Sequence, residues 1–104
     1  MKDHSYVFFF KALANETRMN IINALKEHKH ANVSELCEEL DLEQSRVSHN
    51  LKCLVFCGFV KNSRDGKNVI YSLNKDAVNP ILKVANRHVE KYAKNLRECK
   101  VLKY

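Results

Sequence analysis

Apolar residues recur along most of this chain every three or four positions, the spacing of a helix with one buried face. The spacing changes over residues 59–73, where two short runs rich in β-branched and aromatic side chains flank an Asp-Gly pair, as in a β-hairpin. Capping residues and the glycine at position 58 divide the helical part further. The pattern predicts helices over residues 3–13, 15–30, 34–40, 43–57 and 76–100, an extended piece at 32–33, and strands at 59–62 and 68–73.

The third and fourth predicted helices are separated only by a tight turn at residues 41–42, which predicts a helix-turn-helix. Ser34 is expected to cap the third helix. In the fourth helix, four apolar residues share the side expected to face the core: Val47, Leu51, Leu54 and Val55. With the hairpin as a wing, the predicted fold class is mainly α with a small β-hairpin wing, a winged helix-turn-helix.

A length of 104 residues is expected to form a single domain over residues 1–104. No apolar run approaches the length of a bilayer span, and no signal peptide is recognisable, so we expect a cytoplasmic protein without membrane contact. The four cysteines of such a chain are expected to remain thiols. No nucleophile, base and orienting group converge in its motifs, so no enzymatic activity is expected.

Charge is distributed unevenly along the chain, whose formal net charge is +6. Residues 1–42 hold five basic and seven acidic side chains, residues 43–75 hold six and two, and residues 76–104 hold seven and three. A positive middle and tail suits a polyanionic partner such as DNA, because Lys and Arg release the counterions condensed on phosphates. On charge alone, a solvated surface is an equal alternative.

Polar and cationic side chains of the fourth helix project away from its apolar side, at about 100° per residue. Such groups can donate hydrogen bonds to base edges or phosphates in a major groove, and cations on the wing can add phosphate or minor-groove contacts. The predicted partner is therefore a double-stranded operator DNA. The predicted DNA-binding residues are Gln44, Ser45, Arg46, Ser48, His49 and Lys52 on the helix, with Arg64 and Lys67 on the wing.

The first and last helices carry long apolar faces. Tyr6, Phe9, Phe10 and Leu13 form an aromatic face on the first, and a stripe over residues 81–96 runs along the last. We expect these N- and C-terminal helices to mediate a homodimer. Packing onto their own domain is the alternative.

Several motifs together resemble the ArsR/SmtB family of metal-responsive winged-helix repressors. They occupy residues 10–18, 33–36, 45–54, 58–60 and 64–73, and the resemblance covers residues 8–92 in the family's order and spacing. It implies a transcriptional repressor whose effector is a metal ion. Two metal sites of the family lack their ligands here: Asn32 and Ser34 replace a Cys-x-Cys box, and Lys75, Ala77, His88 and Lys91 occupy the positions of an acid and histidine site.

The cysteines resemble the CmtR-type cadmium- and lead-sensing branch, in which two cysteines of the recognition helix join a third from the C-terminal tail. Cys53 and Cys57 match the helical pair, and Cys99 is the candidate third ligand; Cys37 and the other subunit are alternatives. Residues four apart on a helix have Cβ atoms about 5–6 Å apart, more than the roughly 3.5–4.5 Å across a disulfide. A metal ion bridges that gap more readily, and thiolates select thiophilic effectors such as Cd(II), Pb(II), Zn(II) or As(III).

The expected function is therefore a homodimeric DNA-binding transcriptional repressor that releases its operator when a thiophilic metal binds at the recognition-helix cysteines. Two alternatives stay open: the same repressor with thiol oxidation or persulfidation as its signal, and a non-specific DNA-compacting protein. If Cys53 and Cys57 serve only as small packing residues, the chain has no metal site at these positions. A response that persists with metals chelated would favour the redox repressor, and little preference for its own promoter over random duplex would favour the compacting protein.

Overall fold

A computed structural model describes residues 4–102 of the chain. It confirms the predicted fold class, a mainly helical structure with a small antiparallel wing, and all five predicted helices are present. The predicted start of the first helix, at Asp3, lies outside the described residues. In chain order the elements are α1 (Ser5–Leu13), α2 (Glu16–His28), β1 (His30–Ala31), α3 (Val33–Leu40), α4 (Gln44–Phe56), β2 (Val60–Asp65), β3 (Asn68–Leu73) and α5 (Lys75–Glu98).

Helix α2 lies at the centre of the core. The side chain of Asn15 caps it by accepting a hydrogen bond from the backbone N–H of Arg18 at 3.0 Å. Its apolar side chains Ile21, Ile22 and Leu25 are at most 1% exposed. Full burial of a side chain of this size contributes about 1.5–3 kcal/mol, so this face holds much of the stability of the fold.

Helix α3 begins at Val33, one residue earlier than predicted, and its cap is Asn32 and not Ser34. The Oδ1 atom of Asn32 accepts from the backbone N–H of Glu35 at 2.8 Å, and the backbone N–H of Asn32 donates to the Glu35 carboxylate at 2.9 Å. This reciprocal capping box satisfies two backbone donors at the helix start. The extended piece is consequently His30–Ala31 rather than residues 32–33.

The turn between α3 and α4 completes the predicted helix-turn-helix. Asp41 ends α3 in the left-handed conformation, with φ 54° and ψ 51°, a conformation that aspartate tolerates better than most residues. The backbone N–H of Leu42 then donates to the carbonyl of Cys37 at 3.2 Å. Helix α4 follows. Of its predicted core residues, Val47, Leu51 and Leu54 are fully buried, whereas Val55 is only half-buried.

The predicted hairpin is confirmed, with a third strand added to it. Strands β2 and β3 pair antiparallel from Val60 with Leu73 to Asp65 with Asn68, around a turn in which Gly66 has φ 64°. Strand β1 pairs with the other edge of β3, which gives the order β1-β3-β2. A strand of two residues is too short to leave a periodic pattern, so the sequence did not reveal it as part of the sheet.

Helix α1 packs through an aromatic contact against the segment that leads into β2. The ring centroids of Phe9 and Phe59 are 5.5 Å apart, and Phe59 is the residue that connects Gly58 to β2. Phe9 is half-buried, whereas Tyr6, Phe8 and Phe10 are 59–66% exposed. The predicted aromatic face is therefore only partly covered by the protomer's own core.

Helix α5 belongs to a second compact unit that begins at Lys75, after a first unit that extends to Asn74. Pro80 lies in the second turn of the helix, and Tyr92, with φ −116° and ψ 16°, marks a kink. No helix within residues 4–102 has the length and apolar character required to cross a membrane. The exposed large apolar side chains of α5 are Val84, Val89, Tyr92 and Leu96.

Candidate functional site

Helix α4 presents polar side chains opposite its buried face. Its N-terminus follows Glu43, whose extended backbone marks the helix boundary, and it ends before Gly58, where φ is 85°. On the wing, the turn at Gly66 separates two exposed cations. The structure places all eight predicted DNA-binding residues on these two elements: Gln44, Ser45, Arg46, His49 and Lys52 are exposed and Ser48 is half-buried on α4, and Arg64 and Lys67 are exposed on the wing. Their contact with DNA stays a prediction.

A buried polar network behind α4 is absent from the sequence-based prediction. The guanidinium of Arg18 donates to the Asn50 side-chain carbonyl at 3.0 Å, and to the main-chain carbonyls of Ala12 and Lys11 at 2.6 and 3.0 Å. Asn50, which is 7% exposed, in turn donates to the carbonyl of Arg46 at 2.9 Å. The signal in the sequence is a single asparagine inside the apolar stripe of α4. This network joins the end of α1 to α4.

The predicted thiol pair lies at the C-terminal end of α4. Cys53 is half-buried within the helix, whereas Cys57 is exposed and forms the helix cap, its backbone N–H donating to the Cys53 carbonyl at 2.9 Å. Partial burial raises the pKa of the Cys57 thiol above its ordinary value, and the charge and hydrogen bond of Cys53 raise it further, while the positive charge of Arg18 acts in the opposite direction. The thiol is consequently protonated at neutral pH, and a metal ion that binds there must displace the proton.

Cys53 also borders an open groove between α4 and the sheet. The groove is lined on its helical side by His49, Lys52, Cys53, Val55 and Phe56, and on the sheet by Asn62 and Tyr71. Phe56 is 93% exposed. Helical spacing alone, at about 100° per residue, predicts that the two thiols lie outside the DNA-facing side of α4, but the structure brings Cys53 beside His49 and Lys52. An ion held by Cys53 would therefore lie next to two predicted DNA contacts.

The other two cysteines lie on different elements. Cys37 is half-buried on α3. Within residues 4–74, no third histidine, cysteine or carboxylate side chain combines with Cys53 and Cys57 to form a group whose ligand atoms all lie within 4.8 Å. Cys99 is half-buried and follows the last residue of α5 in the second unit. The assignment of Cys99 as third ligand remains a prediction.

Comparison with known proteins shows similarity to bacterial regulators. The sequence profile of the family described as "Bacterial regulatory protein, arsR family" matches residues 15–62. A probable mercury resistance operon repressor of Streptomyces lividans is 36% identical over 74% of this chain, which spans 61% of the relative's length. The transcriptional repressor PagR of Bacillus anthracis is 37% identical over 73% of this chain and 76% of its own. The transcriptional activator HlyU of Vibrio cholerae is 32% identical over 78% and 74%, respectively.

Solved structures show the same fold. Rv0081 of Mycobacterium tuberculosis superposes with a TM-score of 0.79 at 32% identity, covering 86% of this chain and 90% of the other. Reduced HlyU of Vibrio cholerae superposes with a TM-score of 0.69 at 32% identity, covering 79% and 85%.

Proposed function

Because this chain belongs to the arsR family of bacterial regulatory proteins, we propose that it is a homodimeric, cytoplasmic transcriptional repressor that releases its operator when Cys53 and Cys57 bind a thiophilic metal ion. The observation that carries the proposal is the position of the thiol pair at the end of the recognition helix, with Cys53 beside His49 and Lys52. The relatives include transcriptional regulators named as repressors and one named as an activator, so the sign of regulation is part of the proposal.

The thiol pair is arranged for chelation rather than for a disulfide. The two thiols lie four residues apart at the C-terminal end of one helix, where Cys57 is the cap. Each metal–sulfur bond is about 2.3 Å for zinc and longer for larger ions, so one ion can bridge sulfur atoms that an intrahelical disulfide would have to pull together. A repressor of a mercury resistance operon among the relatives is consistent with a thiophilic effector. In this proposal the chain forms a single domain, and Cys99 supplies the third thiolate. The alternative sources of that thiolate are Cys37 and a cysteine of the second subunit.

Metal binding would oppose DNA binding through local geometry. A thiolate–metal centre adds charge and bulk beside His49 and Lys52, and it constrains the last turn of the helix that enters the major groove. A difference of about 1–3 kcal/mol between metal affinities of the free and DNA-bound forms changes operator affinity about 5–150-fold. No long-range conformational change is required for such an effect.

Dimerisation is supported by apolar surface that the protomer leaves exposed. Phe8 and Phe10 on α1 and Val84 on α5 are each 58–66% exposed. Soluble proteins rarely leave clusters of large apolar side chains in water unless a partner covers them. Two subunits would also supply the two recognition helices needed for a pseudo-palindromic operator.

The decisive experiment titrates metal-free, reduced protein onto its own upstream DNA, with and without Cd(II), Pb(II), Zn(II), Hg(II) and As(III). We expect tight binding without metal, and release by at least one ion that also produces thiolate-to-metal absorption in the near ultraviolet. The Cys53→Ser/Cys57→Ser double variant should keep DNA binding and lose both responses. Cys37→Ser is the matched control and should respond like the parent protein, while Cys99→Ser should lose part of the response. Release of DNA by metal from the double variant would disprove the site.

A redox signal is the second candidate, and the solved structure of HlyU in its reduced form supports testing it in this fold. The same DNA titration with peroxide or a persulfide donor, in the presence of a metal chelator, separates the two signals. Operator release under those conditions, abolished in the double variant, would assign the thiols to redox sensing. Equal affinity for operator and random duplex would instead favour a DNA-compacting protein.

A further inference from the structure

A second group of potential metal ligands lies at the junction of α2 and α3. Glu27 and His28 end α2, and Glu39 projects from α3. One ligand atom from each of these three side chains lies within 4.8 Å of the other two, and the Nε2 atom of His28 is 2.7 Å from the Glu39 carboxylate. Within residues 4–102, no other group of three histidine, cysteine or carboxylate side chains meets this distance.

The junction also borders a groove with further donors. His30 on β1 and the carboxylates of Glu35 and Glu38 on α3 line the same groove as His28 and Glu39. Lys29, with a φ of 69°, is the single residue between the two histidines. Five nitrogen and oxygen donors from three elements therefore surround one concave surface, and Glu27 lies beside it.

The charges that act on His28 at this junction are negative. The charged groups that act on His28 are the carboxylates of Glu39, Glu27 and Glu35, and all of them raise its pKa. The positive charge of the chain is concentrated after residue 42, so this junction differs in sign from the predicted DNA-binding surface.

We propose that Glu27, His28 and Glu39 form a binding site for a divalent transition-metal cation such as Zn²⁺, Co²⁺ or Ni²⁺. An imidazole and two carboxylates suit such ions, whereas Ca²⁺ and Mg²⁺ prefer ligand sets made of oxygen only. Bonds of about 2.0–2.2 Å from zinc to nitrogen or oxygen place two ligands of one ion roughly 3–3.5 Å apart. All three side chains are exposed, so small rotamer changes bring their ligand atoms to that separation.

An ion at this site would join the C-terminus of α2 to the first helix of the helix-turn-helix. It would take the place of the hydrogen bond between His28 and Glu39 and add Glu27 to the link. Because the unfolded chain does not hold the three ligands together, binding stabilises the fold by mass action. This site is chemically distinct from the thiol pair and does not depend on the proposed sensing mechanism.

The test uses the Cys53→Ser/Cys57→Ser double variant, so that the thiol pair cannot bind the added metal. Calorimetric titration with Zn²⁺ and Co²⁺ should show one ion per protomer, and the ion should raise the melting temperature. Adding His28→Gln or Glu39→Gln should weaken binding by about tenfold or more and remove the rise in melting temperature. His88→Gln, which removes an exposed imidazole on α5, is the matched control and should bind like the double variant.

Three results would overturn this site: no binding by the double variant up to about 1 mM metal, where even a weak site would be occupied; unchanged binding after His28→Gln and Glu39→Gln; or an equal loss of binding in His88→Gln. Circular dichroism of the metal-free variants checks that they fold, which is expected because the substituted side chains are exposed. In the wild-type thiol background, His28→Gln should still release operator on adding Cd(II). That result separates failure of this site from failure of the thiol sensor.

Discussion

Helices α1 and α2 have similar apolar periodicity, but the protein uses their faces differently. In α2, Ile21, Ile22 and Leu25 are at most 1% exposed. In α1, Tyr6, Phe8 and Phe10 are 59–66% exposed, and Ala12 is the one fully buried side chain of that helix. Periodicity reveals which side of a helix is apolar, but it does not reveal whether the same chain or a partner covers that side.

The two helices also differ in how they are attached. Helix α2 is held by apolar burial against α3 and α4, whereas the C-terminal end of α1 is held by Arg18, which donates to the carbonyls of Lys11 and Ala12. The free energy of apolar burial depends little on small changes in the angle between two helices, whereas a hydrogen bond requires a defined direction from donor to acceptor. Helix α2 is therefore fixed by the packing of its buried side chains, whereas the direction of α1 is fixed by the hydrogen bonds that Arg18 donates to it.

The largest expected effect is in the core of α2. Leu25→Ala removes a side chain that is 1% exposed and should lower the free energy of unfolding by about 2–5 kcal/mol. Urea titration followed by circular dichroism measures the loss, which should be the same at every protein concentration. The exposed neighbour Lys26 supplies the control, since Lys26→Ala should change stability by less than about 0.5 kcal/mol. Equal losses in the two variants would contradict the assignment of this core face.

A smaller loss is expected from the polar attachment. Asn50→Ala leaves the Nη1 group of Arg18 without its side-chain acceptor in a partly buried position, which should cost about 1–3 kcal/mol. Urea titration again measures it, with Asn23→Ala on the exposed side of α2 as control. Should both asparagine variants unfold alike, the network would not orient α1.

The exposed aromatic face should affect association rather than folding. Phe8→Ala is expected to weaken the proposed dimer about ten- to thirtyfold, equivalent to roughly 1.4–2 kcal/mol. Sedimentation equilibrium measures the change, and the unfolding free energy extrapolated to low concentration should be that of the parent. Lys11→Ala is a control on the same helix. A wild-type monomer at micromolar concentration would contradict both the dimer and the two-half-site operator.

The smallest effect concerns pH at the exposed end of α2. The pKa of His28 is raised above its ordinary value of 6.5, first by its hydrogen bond to Glu39 and then by the charge of that carboxylate. Its stabilising contribution is therefore complete below pH 6.5 and is lost as pH rises through the raised pKa. In chelator-treated protein, Glu39→Gln should flatten this part of the pH–stability curve, and a curve with unchanged slope would refute the pairing.

Most of the fold could be predicted because its signals are local. The turn before α4, the glycine after it and the Asp-Gly hairpin each occupy a few adjacent residues. The predicted cap of α3, Ser34, was wrong because Asn32 and Ser34 are both good capping residues. Only the reciprocal hydrogen bonds between Asn32 and Glu35 distinguish them. The extended piece was predicted at residues 32–33 and not at His30–Ala31, because its position depends on pairing with β3, about 40 residues later.

The candidate site divides in the same way. The polar face of α4 and the spacing of Cys53 and Cys57 follow from helical geometry within one element. The contact between Arg18 and Asn50 joins residues 32 positions apart, and the groove beside Cys53 needs Asn62 and Tyr71 from the sheet. Such long-range juxtapositions leave no periodic trace in a single sequence.

The ring contact between Phe9 and Phe59 would link the proposed dimerisation to the proposed DNA binding. Phe59 lies at the joint where the recognition helix passes into the wing, and Phe9 belongs to the helix that turns its other aromatic rings to solvent. In the proposed dimer, a tilt of α1 would shift Phe59 through its contact with Phe9. The shift would change the separation of the two recognition helices. The two half-sites of an operator lie about 34–36 Å apart. The angle at this aromatic contact would therefore determine which half-site spacings the dimer can bind.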